Sequence, residues 1–115
     1  MRIEVLDLIG EDCITMEDGQ KVYDIVFPAL KQNQKIELNF SGVEVFSSPF
    51  FNVAIGRLLK DFNRDSLNGL LSFKEITPEG LALLKLVIKN STQYYSDEQY
   101  RKAHDTILSN PMEER

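Results

Sequence analysis

The sequence predicts an α/β layer fold. Segments with the two-residue period of strands alternate with segments of helical period along most of the chain. Two hydroxyl-proline steps, Ser48-Pro49 and Thr77-Pro78, stand where helices should begin. A Ser or Thr side chain can accept a bond from an orphan amide of the first turn, and proline there has no amide to leave unpaired. A length of 115 residues, 43% hydrophobic and 27% charged, suits one domain with one modest core.

Residues 2–9 (RIEVLDLI) are expected as the first strand, from the alternation of Ile3 and Val5 with Arg2 and Glu4. Gly10-Glu11-Asp12 is a turn. Thr15-x-x-Asp18 is a near-variant of the capping box and opens a helix whose buried face is Val22, Ile25, Val26, Ala29 and Leu30. Pro28 predicts a kink or an early stop near Phe27, because its ring displaces the carbonyl four residues back.

The polar stretch 31–35 leads into a central strand over residues 35–40, where Leu38 and Phe40 alternate with Asn39. Ser41-Gly42 closes it. Ser48 is expected to cap the next helix, with Pro49 at its first position. Inside that helix Phe51, Ile55, Leu58 and Phe62 form one narrow apolar stripe. Residues 63–69 are polar and end in glycine, as a helix exit does. Residues 70–76 (LLSFKEI) form the next strand, and Thr77-Pro78-Glu79 starts a helix with Leu81, Leu84 and Ile88 on one face. Ser96-Asp97-Glu98-Gln99 is a further capping box, predicting a separate C-terminal helix with Tyr100, Ala103, Ile107 and Leu108 at helical spacing. Asn110-Pro111 ends it. The expected organisation is a domain over 1–92, a helix over 93–110 packed on it, and a frayed tail over 111–115.

The segment SGVEVFSSPFFNVAIGRLLKDF, residues 41–62, resembles the region around the phosphorylated serine of STAS domains, the fold of anti-anti-sigma factors. It is most similar to a bacterial family of STAS-like domains of unknown function. The glycine turn, the hydroxyl pair at the helix start and the Gly56-Arg57 step carry the likeness. The upstream ITMEDGQKVYDIVFPALKQNQKIELNFSGV extends it to about residues 1–90. The resemblance implies a small sheet with helices packed mainly on one side. It also implies a docking surface for an ATP-binding, histidine-kinase-like anti-sigma factor at the start of the central helix. Aligned without gaps from Ser41-Gly42-Val43, the phosphorylatable serine of that family falls on Ser48. Ser47 stands where an aspartate usually precedes it and is the second candidate. Pro49, Phe50 and Phe51 replace the small residues that usually follow.

The composition narrows the function classes. A net charge of −5 argues against a nucleic-acid binder, whose footprint is a basic face. No apolar run reaches bilayer length, and Met1-Arg2-Ile3-Glu4 does not begin a signal peptide, so no membrane association and a cytoplasmic location are expected. Cys13 is the single cysteine and His104 the single histidine. Nothing in their spacing supports a dyad, and together they cannot furnish a zinc site. Glu17-Asp18 and Asp97-Glu98 sit at helix starts, where the dipole accounts for them without catalysis. Dinucleotide and P-loop glycine patterns are absent. No catalytic residue, metal or cofactor is expected.

One helix face departs from the ordinary. At about 100° per residue, Phe50, Val53, Gly56, Arg57, Lys60 and Arg64 project away from the Phe51 stripe. Apolar anchors beside cations compose a protein-binding patch, unless Phe50 packs under a neighbouring loop. Ser48, Phe50, Val53, Gly56, Arg57 and Lys60 are therefore the expected partner-binding residues of a non-enzymatic regulatory module. The alternative is a structural subunit or homodimer with the Phe50/Val53 face as its obligate interface.

Overall fold

The computed structural model describes the backbone of residues 1–109 and the side chains of residues 1–96. The chain runs through strand β1 (Arg2–Glu4), helix α1 (Val5–Ile9), β2 (Asp12–Cys13), α2 (Met16–Lys31), β3 (Ile36–Asn39), β4 (Val45–Phe46), α3 (Ser48–Ala54), a 3-10 segment (Gly56–Lys60), α4 (Arg64–Leu70), β5 (Leu71–Lys74) and α5 (Pro78–Ser109). Three parallel strands form one sheet in the order β1-β3-β5, and β2 and β4 pair in parallel as a second, two-residue sheet.

The larger sheet is two-faced for a reason visible in its register. Ile3, Leu38 and Phe73 stand in one row, with Ile36 and Leu71 beside them, and these apolar residues join the core. The alternate positions carry Arg2, Glu37 and Ser72, then Glu4, Asn39 and Lys74. Arg2 bridges Glu4 at 2.6 Å and Glu37 at 3.2 Å on this polar side. Such exposed pairs contribute little, about 0–1 kcal/mol each. Asn39, the one buried polar side chain among the described residues, accepts the Ser41 amide at 2.8 Å. The helical layer therefore covers the apolar side, the α/β arrangement expected from the sequence.

Phe51 joins the layers. Its ring stacks on Phe46 at 5.5 Å and meets Phe40 edge-on at 6.3 Å and Phe50 at 5.4 Å. These rings lie between β3, β4 and α3, and Phe40, Phe50 and Phe51 are each at most 1% exposed. The predicted stripe is in the core: Ile55 and Leu58 are buried with Phe51, and Phe62 is half-buried.

Several expectations are corrected. The first strand stops at Glu4, and residues 5–9 are helical. Val5, Leu8 and Ile9 lie three and four positions apart, which suits one helix face better than alternation. Helix α2 begins at the Thr15 cap, whose Oγ1 accepts the Asp18 amide at 3.0 Å, but it does not stop near Phe27. Pro28 is on the exposed side while Val26, Ala29 and Leu30 are buried, so packing holds the helix through the missing bond. It ends instead at Lys31, and just beyond it the left-handed Asn33 (φ 61°) turns the chain so that the Gln34 amide returns to the Ala29 carbonyl.

Residues 63–69 are not an exit loop. Asn63 accepts the Ser66 amide at 2.8 Å and caps α4, which buries Leu67. The central helix is not continuous to Phe62, since it tightens into the 3-10 segment after Ile55. At the far end, α5 starts as expected at Thr77, whose Oγ1 accepts the Gly80 amide at 3.0 Å. It then runs on through Ser96, so that capping box opens no separate helix. Residues 82–96 contain no glycine or proline to interrupt it. The expected packing of Tyr100, Ala103, Ile107 and Leu108 and the tail after Asn110 lie outside the described side chains.

Candidate functional site

The chain entering α3 is fixed by Ser47, not Ser48. Ser47 has extended geometry (φ −137°, ψ 157°), and its Oγ accepts the Phe50 amide at 3.2 Å while donating to the Ile14 carbonyl. The Ser47 amide donates to the Cys13 carbonyl at 3.0 Å. Ser47 thus caps α3 and welds it to the end of β2. Ser48 is the first helical residue and Pro49 the second, so the helix begins one residue earlier than the sequence expectation and proline stands one position further inside it. Because two serines are adjacent, either could cap. Only the tie to β2 decides between them, and it is a tertiary contact.

This arrangement leaves Ser48 exposed, with no cap bond to make. Around it the β2–β4 pairing gathers side chains from three parts of the chain. Val45 stands opposite Asp12, Ile14 follows β2 beside Ser47, and Met16 opens α2. Val45 is 45% exposed, Ile14 43% and Met16 61%. Pro49 and Asn52 continue the same exposed side of α3. The result is a surface of exposed apolar side chains interspersed with the exposed Asp12, Thr15 and Glu17, with the Ser48 hydroxyl unused by the cap, where α2 and α3 both begin.

The expected patch on the other side of α3 is not a surface. Phe50 is 1% exposed, Val53 5%, and Gly56 is also buried. Helix α2 covers the first two: a Cβ built on Gly19 would lie 2.7 Å from the Phe50 carbonyl oxygen and 3.1 Å from the Val53 Cβ. Helix α5 covers the third, since a Cβ on Gly56 would lie 2.5 Å from Ser91 Oγ and 3.4 Å from Val87 Cγ1. The two glycines let α3 sit in the middle of the helical layer, walled on both flanks. The apolar character of that face is core, and Phe50 and Val53 cannot serve as an interface between copies.

Arg57 and Lys60 remain accessible. Arg57 is half-buried, with its guanidinium 4.2 Å above the Tyr23 ring and one N–H donating to Gln20 Oε1 at 2.9 Å. Lys60 is exposed. Of the six residues expected to bind a partner, three are therefore interior, and Ser48 lies at the other end of α3 from Arg57 and Lys60.

Cys13 is fully buried. Loss of hydration, then the nearby carboxylates Asp18 and Asp12, push its thiol up from 9.0 to about 12, so it is neutral at physiological pH and a poor nucleophile. The side chain of His104 lies outside the described residues. Among the described residues no three His, Cys, Asp or Glu converge to hold a metal ion, and no helix is long and apolar enough to cross a membrane.

Sequence reasoning missed Ile14, Met16 and Val45. Val45 lies in a two-residue strand and Ile14 just after another, both too short to show a period, and Met16 is the first residue of α2. A family model described as a STAS-like domain of unknown function matches residues 18–81, more than half of the 115-residue chain. No curated protein and no solved structure matches it.

Proposed function

The chain belongs to the family of STAS-like domains of unknown function, and on that premise we propose that it is a regulatory protein-binding module docking through the surface around Ser48. One observation carries the reading: Ile14, Met16 and Val45 are exposed large apolar side chains on the segments that meet where α3 begins, and Ser48 there keeps a hydroxyl that the cap does not use. Buried apolar side chains ringed by polar groups are what a transient protein interface needs. The partner is an ATP-binding kinase of the anti-sigma type, the class that docks at this helix in STAS antagonists. Ser48 is the phosphate acceptor and Ser47 is not, because the Ser47 hydroxyl is engaged by both the Phe50 amide and the Ile14 carbonyl. A phosphate on Ser48 adds nearly two negative charges amid apolar contacts and releases the partner.

Titration calorimetry with such a kinase from the same genome tests this. Binding is expected for the wild type, loss of binding for Met16→Glu, and weakening by roughly tenfold or more for Ser48→Asp. Incubation with ATP should place phosphate on Ser48. Equal affinity in all three proteins would overturn the reading. A dimer that resists dilution and is split by Met16→Glu would assign the same surface to self-association instead.

A further inference from the structure

The larger sheet ends at β5, whose outer edge is unpaired. The strand order is β1-β3-β5, so among the described residues β5 has a neighbour on one side only. A parallel strand turns the amide and carbonyl groups of alternate residues to its two sides. The Phe40 amide donates to the Lys74 carbonyl at 2.9 Å, which directs Ser72 and Lys74 toward β3. Leu71 and Phe73 therefore turn theirs outward. The Leu71 amide donates to the Leu67 carbonyl, where α4 ends. The amide and carbonyl of Phe73 are left for a further strand, and residues 71–76 contain no proline or glycine to spoil the edge.

Beside this edge lies a crevice of about 50 Å³ lined by Ile55, Leu67, Leu71, Phe73 and Ile88. It is larger than a single water needs and its lining is mostly apolar, so it suits an aliphatic side chain. Arg64 also lines it, and Lys74 is exposed on the polar side of the sheet. Among the described residues the ion pairs involve only Arg2 and Lys21 as cations, so neither Arg64 nor Lys74 has a carboxylate within bridging distance. The charge of Glu75 acts on Arg2, behind those of Glu4 and Glu37.

We propose that β5 accepts a fourth strand, an extended acidic segment of a partner protein. Its backbone pairs with Phe73, one aliphatic side chain enters the crevice, and its carboxylates meet Arg64 and Lys74. Unpaired strand groups ask for an extended backbone rather than a helix, whose own peptide groups are already bonded. Charge decides between a partner and a second copy. Two copies joined edge to edge would bring a second Arg64 and a second Lys74 to the seam, and lysine on an edge strand guards against such pairing. The β1 edge is no equivalent, being three residues long and bearing the Arg2–Glu4 ion pair. The β5 edge shares no residue with the surface around Ser48, so the two proposals stand or fall separately.

The test is titration of the full chain with the acetylated and amidated peptide Glu-Val-Asp-Val-Glu, read by calorimetry and amide hydrogen exchange. Saturable binding is expected in the millimolar range or below. The Phe73 amide, quick to exchange in the free chain, should be slowed by roughly tenfold or more at saturation. Methylating the three central nitrogens of the peptide removes its ladder donors and keeps its side chains, and should weaken binding by roughly tenfold or more. Arg64→Glu and Lys74→Glu, both at exposed positions, should each weaken it by roughly tenfold. Lys21→Glu on α2 should change nothing. Absence of saturable binding, equal affinity for the methylated peptide, or an equal loss in Lys21→Glu would each overturn the proposal. So would a Phe73 amide already slow in the free chain; if dilution restored its exchange, the occupant would be a second copy.

Discussion

The Arg57 guanidinium lies 4.2 Å above the centre of the Tyr23 ring, joining the 3-10 segment to α2 across the helical layer. The same side chain donates to Gln20 one turn earlier on α2. A cation over a ring in a half-buried site contributes about 0.5–2 kcal/mol. A double-mutant cycle of Arg57→Met with Tyr23→Leu should return a coupling of that size by urea unfolding. Strict additivity would show that the two elements are held by apolar contacts alone.

Phe50 should behave as a core residue. Phe50→Ala is expected to cost about 3–5 kcal/mol, as much as Phe51→Ala, because both rings are buried. Gly19→Ala should cost roughly 1–3 kcal/mol through the clash with the Phe50 carbonyl. A Phe50 variant melting with the wild type would restore that ring to the surface.

The two adjacent serines should separate cleanly. Ser47→Ala removes the α3 cap and the tie to Ile14, and should cost about 1–2 kcal/mol. Ser48→Ala removes an exposed hydroxyl without a cap bond and should stay within about 0.5 kcal/mol of wild type. Equal losses at both positions would mean that the cap is shared and that Ser48 is not free for modification.

Burial of Cys13 predicts an alkaline instability. Its folded value of about 12 lies above the ordinary 9.0, so between those pH values the unfolded chain loses the thiol proton and the folded chain keeps it. The unfolded state then binds fewer protons, and stability falls as pH rises. The contribution is complete below about pH 9 and is lost as pH climbs towards the folded value. Denaturant midpoints measured from pH 8 to 11 should fall more steeply for the wild type than for Cys13→Ala. Rapid labelling by a thiol reagent in native buffer at pH 8 would contradict the burial that the slope depends on.

What could be read in the sequence was what neighbouring residues decide. Thr15 and Thr77 cap as expected, and Leu38 and Phe40 face the core, because a cap or a strand period is settled within a few positions. Phe50 could not be placed that way. Its outward projection from the Phe51 stripe is correct on the helix, but outward means core when helices stand on both flanks. The Ser48 surface was half legible: the serine was singled out, whereas the placing of Val45 and Ile14 depends on a pairing of two-residue strands. Asn63-Arg64-Asp65-Ser66 has the composition of a loop, and only the burial of Leu67 makes it a helix.

Each pairing in the larger sheet joins residues 35 positions apart, Arg2 with Glu37 and Ile36 with Leu71, and the smaller joins Asp12 with Val45. Parallel neighbours of this kind have no hairpin between them. No strand can therefore find its partner by a local search. The chain must close a long loop, carrying a helix within it, before the first ladder bond forms. The helices α2 and α5, capped by their own threonines, can form early, but the sheet arrives late and as a unit. Refolding should accordingly show helical signal gained ahead of the burial of Phe51.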